Sequence, residues 1–326
     1  MKPWPRLVGS TLAGVVLVLC AVAAAAQDKY PYKSIRVIVP VAPGGGTDFV
    51  ARLIGQKLSE AWGQPVIVDN RPGGAGNVGV EIAAKAMPDG YTLVIPITSF
   101  PINPSLYSKL PFDTVRDFAP VALVASAPLM LVVNPGVQAN SVNELIALAK
   151  ARPGQLNYAN SGAGTTAHLA GELFKRMAGV DIVSIAYKGG GPAVIDLIAG
   201  NVQIYFSTVP AALPQVKAGR LRALAVTGSK RLNDIPDIAT VSESGLPGFA
   251  VVAWFGMFAP GKTPQPIVKK LNAEVVRILS MPDVREKMSG QGLIPGGNTS
   301  EELGVFLKAE IAKWSKLIKE ANIRIE

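Results

Sequence analysis

Short apolar runs alternate with stretches of helical periodicity along most of this 326-residue chain. Runs with the length and the side-chain content of strands are 35–41, 66–69, 91–97, 121–125, 129–134, 156–159, 182–187, 202–206, 223–227 and 251–258. Residues 48–62 repeat apolar side chains at every third or fourth position, which predicts a helix with one face in the core. Strands that alternate with helices predict an α/β protein with largely parallel sheets.

Two hydroxyl residues mark the starts of further helices. Ser141 precedes Glu144 by three positions, and Thr299 precedes Glu302 by the same spacing, each before an apolar helical pattern. This spacing is typical of a capping box, in which the hydroxyl and the carboxylate accept backbone N–H groups at a helix start. We therefore predict helices after Ser141 and after Thr299, the second of them long and amphipathic.

Two apolar segments, 121–134 and 251–258, are candidates for strands that cross between two lobes. If both cross, the first lobe is discontinuous and the second lobe is inserted into it. The predicted boundaries are then 27–126 plus 253–326 for the first lobe and 127–252 for the second. A cleft between two α/β lobes is a preferred place for a small ligand.

Residues 1–26 differ from the rest of the chain in composition. Lys2 and Arg6 precede an apolar run over 7–22, and small alanines follow up to Ala26. This order is that of a secretory signal peptide, which we predict is cleaved after Ala26. The alternative is a permanent membrane anchor, because such an anchor needs about 20 apolar residues and the run with its alanines reaches that length.

The chain has one Cys and one His, which excludes a disulfide scaffold and a zinc site built from several Cys and His residues. Cys20 lies within the predicted signal peptide. A lipid-modified N-terminus at Cys20 is a further alternative, although Leu19 stands where that processing favours a small residue. Lys and Arg number 32 against 23 Asp and Glu, but they are scattered, so no nucleic-acid partner is predicted.

Three segments share the order strand, glycine-rich loop, helix. We name them the first (39–48), second (158–168) and third (185–193) glycine-rich loops. Glycine lets the backbone approach a ligand closely, and N–H groups at a helix start suit a carboxylate or a phosphate. The three loops together predict an anion that is held mainly by neutral dipoles.

Several side chains of these loops are candidates for ligand contact. They are Thr47 and Asp48 in the first loop, Ser161, Thr165, Thr166 and His168 in the second, and Lys188 in the third. Four of them have a purely structural alternative. Thr47 and Asp48 also fit a helix cap, His168 a hydrogen-bonded structural residue, and Lys188 a solvated loop lysine.

Motifs of known enzyme classes are incomplete or absent in the sequence. Gly162, Gly164 and Ala167 satisfy the dinucleotide pattern G-x-G-x-x-A, whose acidic partner should follow the next strand, about twenty residues on. Asp181 has that spacing but precedes the strand. The sequence has no G-x-S-x-G, H-E-x-x-H or P-loop motif, and a Ser-His-acid triad would have to use His168. We predict no enzyme and no cofactor.

A set of longer motifs covers essentially all of the chain after residue 26. It comprises IRVIVPVAPGGGTDFVARLIGQKLSEAWGQPVIVDNRPGGAGNVG, KAMPDGYTL, NYANSGAGTTAHLAGELF, YKGGGPAVIDLIAGNVQ, PAALPQVKAGRLRALAVT and the FAP of WFGMFAP. As a set, these motifs resemble the periplasmic receptors of tripartite tricarboxylate transporters, also called Bug receptors. The resemblance implies a two-lobed type II periplasmic binding protein fold, in which two crossover strands join the lobes and a ligand cleft lies between them.

The resemblance also implies a set of ligand-binding residues. They are Pro43, Gly44, Gly45, Thr47 and Asp48; Thr98 and Ser99; Ser161, Gly162, Gly164, Thr165 and His168; Lys188, Gly189 and Gly190; and Ser207. Where the family commonly has Asp before PAALP, this chain has Ser207. Without that anionic partner for an ammonium group, we expect a plain organic acid rather than an acidic amino acid.

The functional expectation is an exported, monomeric binding protein that captures a small carboxylate and presents it to membrane transporter subunits. Two alternatives stay open at this point. A ligand-sensing receptor for a signalling partner would use the same pocket, and an exported hydrolase would depend on His168. The two lobes are expected to close on the ligand because it contacts both of them.

Overall fold

The computed structural model describes residues 30–44, 46–162, 164–187 and 190–320. The predicted signal peptide, Gly45, Lys188 and Gly189 lie outside the described residues. Within the described ranges, none of the helices is long and apolar enough to cross a membrane.

Strands and helices alternate as the sequence predicts. The strands are β1 (Ile35–Val39), β2 (Val66–Asn70), β3 (Thr92–Val94), β4 (Phe118–Val133), β5 (Asn157–Asn160), β6 (Val183–Ala186), β7 (Ile204–Thr208), β8 (Arg222–Val226), β9 (Val252–Pro260) and β10 (Ile294–Pro295). The helices are α1 (Gly46–Trp62), α2 (Asn77–Ala84), α3 (Asn103–Leu106), α4 (Val142–Ala151), α5 (Thr166–Ala178), α6 (Gly190–Ala199), α7 (Val209–Lys217), α8 (Gln265–Leu279), α9 (Pro282–Ser289) and α10 (Ser300–Glu320). The predicted α/β class is confirmed.

Among the described residues the strands follow the order β2-β1-β3-β9-β4-β7-β5-β6, with β8 and β10 also paired to β4. β1 runs parallel to β2 and β3, and we name these three the first parallel set. β5 runs parallel to β6 and β7, which form the second parallel set. β4 pairs antiparallel with β7, β8, β9 and β10. The prediction of largely parallel sheets is therefore wrong at the centre, where strands cross between the sets.

β4 is one continuous strand, although the sequence predicts two separate strands at 121–125 and 129–134. Its first part pairs with β9 as far as Pro128, and its second part pairs with β7 from Leu129 onward. Pro128 lacks an N–H group, and it stands where the pairing with β9 ends; β7 lies on the opposite edge of β4. Ser126 and Pro128 interrupt the apolar run, which is why the pattern reads as two strands.

Thr227 joins β4 to the chain that enters β9. The Leu129 N–H donates to its hydroxyl over 2.7 Å, and the hydroxyl donates to the Val251 carbonyl over 2.6 Å. The side chain of Thr227 is fully buried. Both crossing segments are thus fixed to each other at the second parallel set.

The predicted capping box at Thr299 forms in full, and the one at Ser141 forms in part, because the Glu144 carboxylate accepts the N–H of Asn140 instead of Ser141. The Ser141 hydroxyl accepts the Glu144 N–H over 3.2 Å at the start of α4. At the start of α10 the Thr299 hydroxyl accepts the Glu302 N–H, and the Glu302 carboxylate accepts the Thr299 N–H, over 3.1 and 2.8 Å. These bonds satisfy N–H groups that have no partner within the helix.

α10 contributes to two hydrophobic clusters. Leu303 and Leu307 pack with Phe258 beside the first parallel set, whereas Trp314, Leu317 and Ile318 pack with β4, β5 and β7. The predicted boundary assigns all of 253–326 to the first lobe, so the end of α10 packs differently from that expectation. The division of the chain into lobes stays a prediction.

Glu310 lies at the middle of α10, where the helix passes from one cluster to the other. Its carboxylate is buried and accepts the indole N–H of Trp254 over 3.3 Å and that of Trp314 over 2.9 Å. A single acidic side chain therefore joins β9 of the crossing to the core beside the second parallel set.

Candidate functional site

The carboxyl ends of the two parallel sets face each other across the middle of β4. Val94 near the end of β3 pairs with Phe258, and Phe258 pairs with Pro120 of β4. Thr208 at the end of β7 pairs with Leu129, farther along β4. Because β3 runs with β4 and β7 runs against it, the loops after both sets border the same space. Ligands of α/β proteins bind outside the carboxyl ends of strands.

The first glycine-rich loop follows β1, and Asp48 in the first turn of α1 holds it. The carboxylate accepts the Gly44 N–H and Arg52 Nε, both over 3.0 Å. It also accepts Asn70 Nδ2 over 3.0 Å, and the same Nδ2 donates to the Val41 carbonyl. Burial raises the pKa of Asp48, but these hydrogen bonds outweigh it, so that the pKa lies below the ordinary value.

The side chain of Asp48 therefore has a structural role, but it holds the loop before α1 rather than capping N–H groups of the helix, and its contact with a ligand stays a prediction. Gly44 has a φ of 95°, which favours glycine, and Pro43 and Gly44 are both exposed. Thr47 is buried. A Cβ atom at Gly46 would lie 3.4 Å from the ring of Phe255, which places this helix start beside the middle of β9.

Thr98 and Ser99 are both buried in the loop that follows β3. The Ser99 hydroxyl donates over 2.7 Å to the carbonyl of Ala75, which has a φ of 52° in the turn before α2. Asn103 Nδ2 donates over 2.7 Å to Asn77 Oδ1 in the same region. Ser99 thus fixes the neighbouring turn and uses its donor for that purpose.

The second glycine-rich loop is held by side chains near its two ends. Asn160 Oδ1 accepts the Gly162 N–H over 2.9 Å, and His168 Nδ1 accepts the Gly164 N–H over 3.2 Å. The Thr165 hydroxyl donates to the Gly162 carbonyl over 2.7 Å and caps α5 by accepting the His168 N–H. The N–H groups of Gly162 and Gly164 are thus accepted by side chains of the loop itself.

His168 is half-buried in the first turn of α5. Burial lowers its pKa, the charge of Glu172 raises it, and the charge of Lys175 lowers it, with a net lowering from 6.5. The positive end of the helix dipole also disfavours a cation here. The structural alternative predicted for His168 is therefore realised, while its contact with a ligand stays a prediction.

Gly190 begins α6 in the third glycine-rich loop. A Cβ atom there would lie 3.1 Å from the hydroxyl of Tyr205, so glycine permits this approach. Burial raises the pKa of Tyr205 to about 12, and a hydrogen bond with Ser161 opposes this rise. The structure thus brings Ser161 and Gly190 together around a phenol that sequence reasoning missed.

Ser207 lies within β7 opposite Met130 and has no solvent-exposed surface. Its hydroxyl donates to the Thr208 carbonyl over 3.3 Å. The side chain of Ser207 is thus closed off from solvent in this structure, and its contact with a ligand stays a prediction.

Sequence reasoning also missed Asn70 and Asn160. Each is the last residue of a strand and supports a glycine-rich loop through its side-chain amide. An asparagine after an apolar run has the pattern of a turn residue, which is the only signal the sequence carries for them.

Two wide surface depressions lie away from the glycine-rich loops. One of about 570 Å³ is bordered by Tyr107, Phe112 and Arg116, and another of about 680 Å³ by Lys175 and Val180. Neither includes a residue of the three loops. Neither lies between the carboxyl ends of the two parallel sets.

A family model described as the tripartite tricarboxylate transporter family receptor matches residues 50–323. The chain belongs to this receptor family. The resemblance drawn from the motifs is thereby confirmed. Members of the receptor family are solute-binding receptors rather than enzymes, which agrees with the prediction of a binding protein and removes support from the hydrolase alternative.

Curated relatives from the receptor family match nearly the whole chain. A UPF0065 protein in the tcbD-tcbE intergenic region of Pseudomonas sp. (strain P51) is 39% identical, over 96% of this chain and 94% of the relative. Protein BugT of Bordetella pertussis is 37% identical, over 96% of this chain and 97% of the relative.

Solved structures of the receptor family share the fold. Rpa4515 of R. palustris with adipate has a TM-score of 0.81 at 38% identity, covering 91% of this chain and all of that one. MatC of Rhodopseudomonas palustris with bound malate has a TM-score of 0.76 at 33% identity, covering 89% of this chain and all of that one. Periplasmic binding protein BugD has a TM-score of 0.77 at 32% identity, covering 91% of this chain. The predicted two-lobed type II fold is confirmed.

Proposed function

We propose that this protein is exported to the periplasm and captures a small organic carboxylate in the cleft between its lobes for uptake by a tripartite transporter. The observation that carries the proposal is the opposition of the two parallel sets across β4, which brings two glycine-rich helix starts to one space. The receptors bound to adipate and to malate support the class of ligand. The signal peptide, a monomeric state and the lobe boundaries of 27–126 plus 253–326 and 127–252 belong to this proposal.

The donors proposed for the ligand differ from those first expected. The N–H groups of Gly44, Gly162 and Gly164 donate to Asp48, Asn160 and His168. The first N–H groups of α1 and α5 have no partner within their helices, and they point out of the helix ends. We propose that these amides and the hydroxyls of Thr47, Ser161 and Thr166 hold the carboxylate, while the engaged glycines give each loop its shape.

The ligand is proposed to be an acid without an amino group. Within the described residues, the formal charge of the first glycine-rich loop is Asp48, and Arg52 of α1 neutralises it. Ser207 supplies no anionic partner for an ammonium group. Adipate and malate both satisfy this description.

Calorimetric titration of the purified protein tests the proposal. We expect adipate, malate or a related acid to bind with a Kd in the micromolar range or below, and glutamate and aspartate to bind at least tenfold more weakly. Native mass spectrometry of the protein as purified should show a retained acid if binding is tight. A protein that binds none of the acids in the panel, or that prefers the amino acids, contradicts the proposal.

Uptake and sensing require different membrane partners. Crosslinking of the ligand-bound protein in its native cells, followed by mass spectrometry, should recover a transporter subunit if the proposal holds. Recovery of a signalling receptor instead would favour the sensing alternative.

A further inference from the structure

The two lobes hold their glycine-rich loops by the same local device. In the first loop the Asp48 carboxylate accepts the N–H of Gly44, four residues earlier, over 3.0 Å. In the second loop His168 Nδ1 accepts the N–H of Gly164, also four residues earlier, over 3.2 Å. Both acceptors lie in the first turn of the helix that follows the loop. The two acceptors differ chemically. A carboxylate still accepts hydrogen bonds in mildly acidic buffer, whereas an imidazole loses its acceptor nitrogen when it gains a proton.

We propose that His168 is a positioning residue that shapes the second glycine-rich loop only as a neutral imidazole protonated on Nε2, so that ligand capture weakens as the pH falls. This inference rests on the proposed function. His168 acts through the Gly164 amide, and no direct contact between the imidazole and the ligand is required.

Protonation of His168 removes the acceptor. A neutral imidazole that accepts at Nδ1 carries its proton on Nε2, whereas the cation carries protons on both nitrogens. The added proton would face the N–H of Gly164 and leave two donors opposed. Gly164 is buried, so its N–H has little access to water as a replacement acceptor.

The surroundings of His168 favour the neutral form. Glu172 and Lys175 lie on its own helix with opposite charges. β5 and β7, which pack against α5, contribute Tyr158 and Tyr205, and burial raises the pKa of both phenols, so that they stay neutral over the same pH range. The pKa of His168 is lowered, and the loop geometry is therefore fully present above pH 6.5 and lost as the pH falls through the lower value.

The histidine is the only one in the chain, which makes a direct test possible by nuclear magnetic resonance. The protein should be prepared without a polyhistidine tag and labelled with ¹⁵N. At about pH 7.5 we expect an unprotonated Nδ1, a protonated Nε2 and slow solvent exchange of the Gly164 amide. A proton on Nδ1 at that pH, or a Gly164 amide that exchanges as fast in the wild type as in His168→Ala, would overturn the inference even if no ligand were known.

Two variants separate the acceptor from the titration. In His168→Asn the side-chain oxygen takes the position of Nδ1 and does not titrate, whereas His168→Ala has no acceptor. With adipate and malate as probes at about pH 7.5, we expect His168→Ala to bind about tenfold more weakly than wild type and His168→Asn to recover most of that loss.

The pH dependence of ligand affinity in wild type is compared with that in His168→Asn. Between about pH 7.5 and the pH at which its resonances show His168 to be protonated, wild type should lose about fivefold or more in affinity relative to His168→Asn, whose change reports only the titration of the ligand. Equal pH profiles for the two proteins, or full binding by His168→Ala, would contradict the positioning role. If neither acid binds wild type, the proposed function fails for these ligands, and the resonance experiment still decides the state of His168.

Discussion

Asp48 is the buried carboxylate on which the first glycine-rich loop depends. Replacing it in Asp48→Ala leaves the Gly44 N–H without its acceptor and removes one of the two acceptors of Asn70 Nδ2. We expect a loss of about 1–3 kcal/mol in the free energy of unfolding and a loss of about tenfold or more in carboxylate affinity. Urea unfolding and calorimetry measure the two effects.

Arg52→Ala is the matched control for Asp48→Ala. The Arg52 side chain is 54% exposed, and exposed ion pairs contribute at most about 1 kcal/mol. A larger effect from Arg52→Ala than from Asp48→Ala would mean that the charge pair, rather than the bonds to the loop, holds this region.

The ionisation of Asp48 adds a pH dependence to the same residue. Its pKa lies below 3.8, so the stabilisation it provides is present above that value and is lost as the pH falls through the lowered pKa. Asp48→Asn should therefore differ from wild type at neutral pH and approach it in strongly acidic buffer. The comparison is independent of His168, because Asp48 lies in the first glycine-rich loop and His168 in the second.

Sequence reasoning at this scale found the loops but not what supports them. Asp48 and His168 were recognised as candidates because they follow glycines at helix starts. Asn70 and Asn160 were missed because a side chain that bonds a distant or neighbouring backbone leaves no periodic trace in the sequence. Such bonds determine which backbone N–H groups of the loops already have a side-chain acceptor. Only the folded structure shows them.

At the scale of elements, α5 packs closely on β5 because Gly171 carries no side chain. A Cβ atom at Gly171 would overlap the ring of Tyr158, which is fully buried and donates a hydrogen bond to Glu172 over 2.6 Å. We expect Gly171→Ala to lower the free energy of unfolding by about 2–3 kcal/mol, because neither the helix nor the ring has room to move. Thermal or urea unfolding measures the loss.

Gly191→Ala in α6 is the control for that substitution. Nothing lies within 4 Å of the position of its Cβ atom, and alanine is a better helix former than glycine. We expect this variant to be as stable as wild type or slightly more stable. Destabilisation by both substitutions would show that the helices, rather than the contact with Tyr158, are sensitive to a methyl group.

The periodicity of apolar residues predicted most helices and strands. It did not predict the direction of the strands or the continuity of β4. An apolar run does not reveal which way its strand runs, so the antiparallel pairing of β4 and β9 was not foreseen. Ser126 and Pro128 lie inside β4. The polar side chain of Ser126 and the missing backbone N–H of Pro128 are nevertheless typical of a break between two strands. Pairing with β9 up to Pro128 and with β7 beyond it carries the strand through.

At the scale of the whole molecule, α10 links the two hydrophobic clusters through Glu310. Glu310→Ala would leave the indole N–H groups of Trp254 and Trp314 buried without an acceptor. We expect a loss of about 2–4 kcal/mol in the free energy of unfolding, measured in urea. Glu310→Gln keeps an acceptor oxygen and should lose less.

Glu301→Ala is the control on the same helix, since Glu301 is exposed in the first turn of α10. We expect it to change stability by less than about 0.5–1 kcal/mol. If Glu310→Ala is no more destabilising than Glu301→Ala, the bonds to the two indoles do not join the clusters in solution.

The fixing of β4 to the chain before β9 by Thr227 has a mechanical consequence. β4 and β9 pair antiparallel over 118–128 and 252–260, with register shifts between Pro120 and Ala122 and between Leu123 and Ala125. We expect closure of the proposed cleft to twist this paired ribbon, which Thr227 clamps at one end, rather than to bend a single loop. A ribbon twisted in this way would act as a torsion spring that helps to reopen the cleft when the ligand leaves.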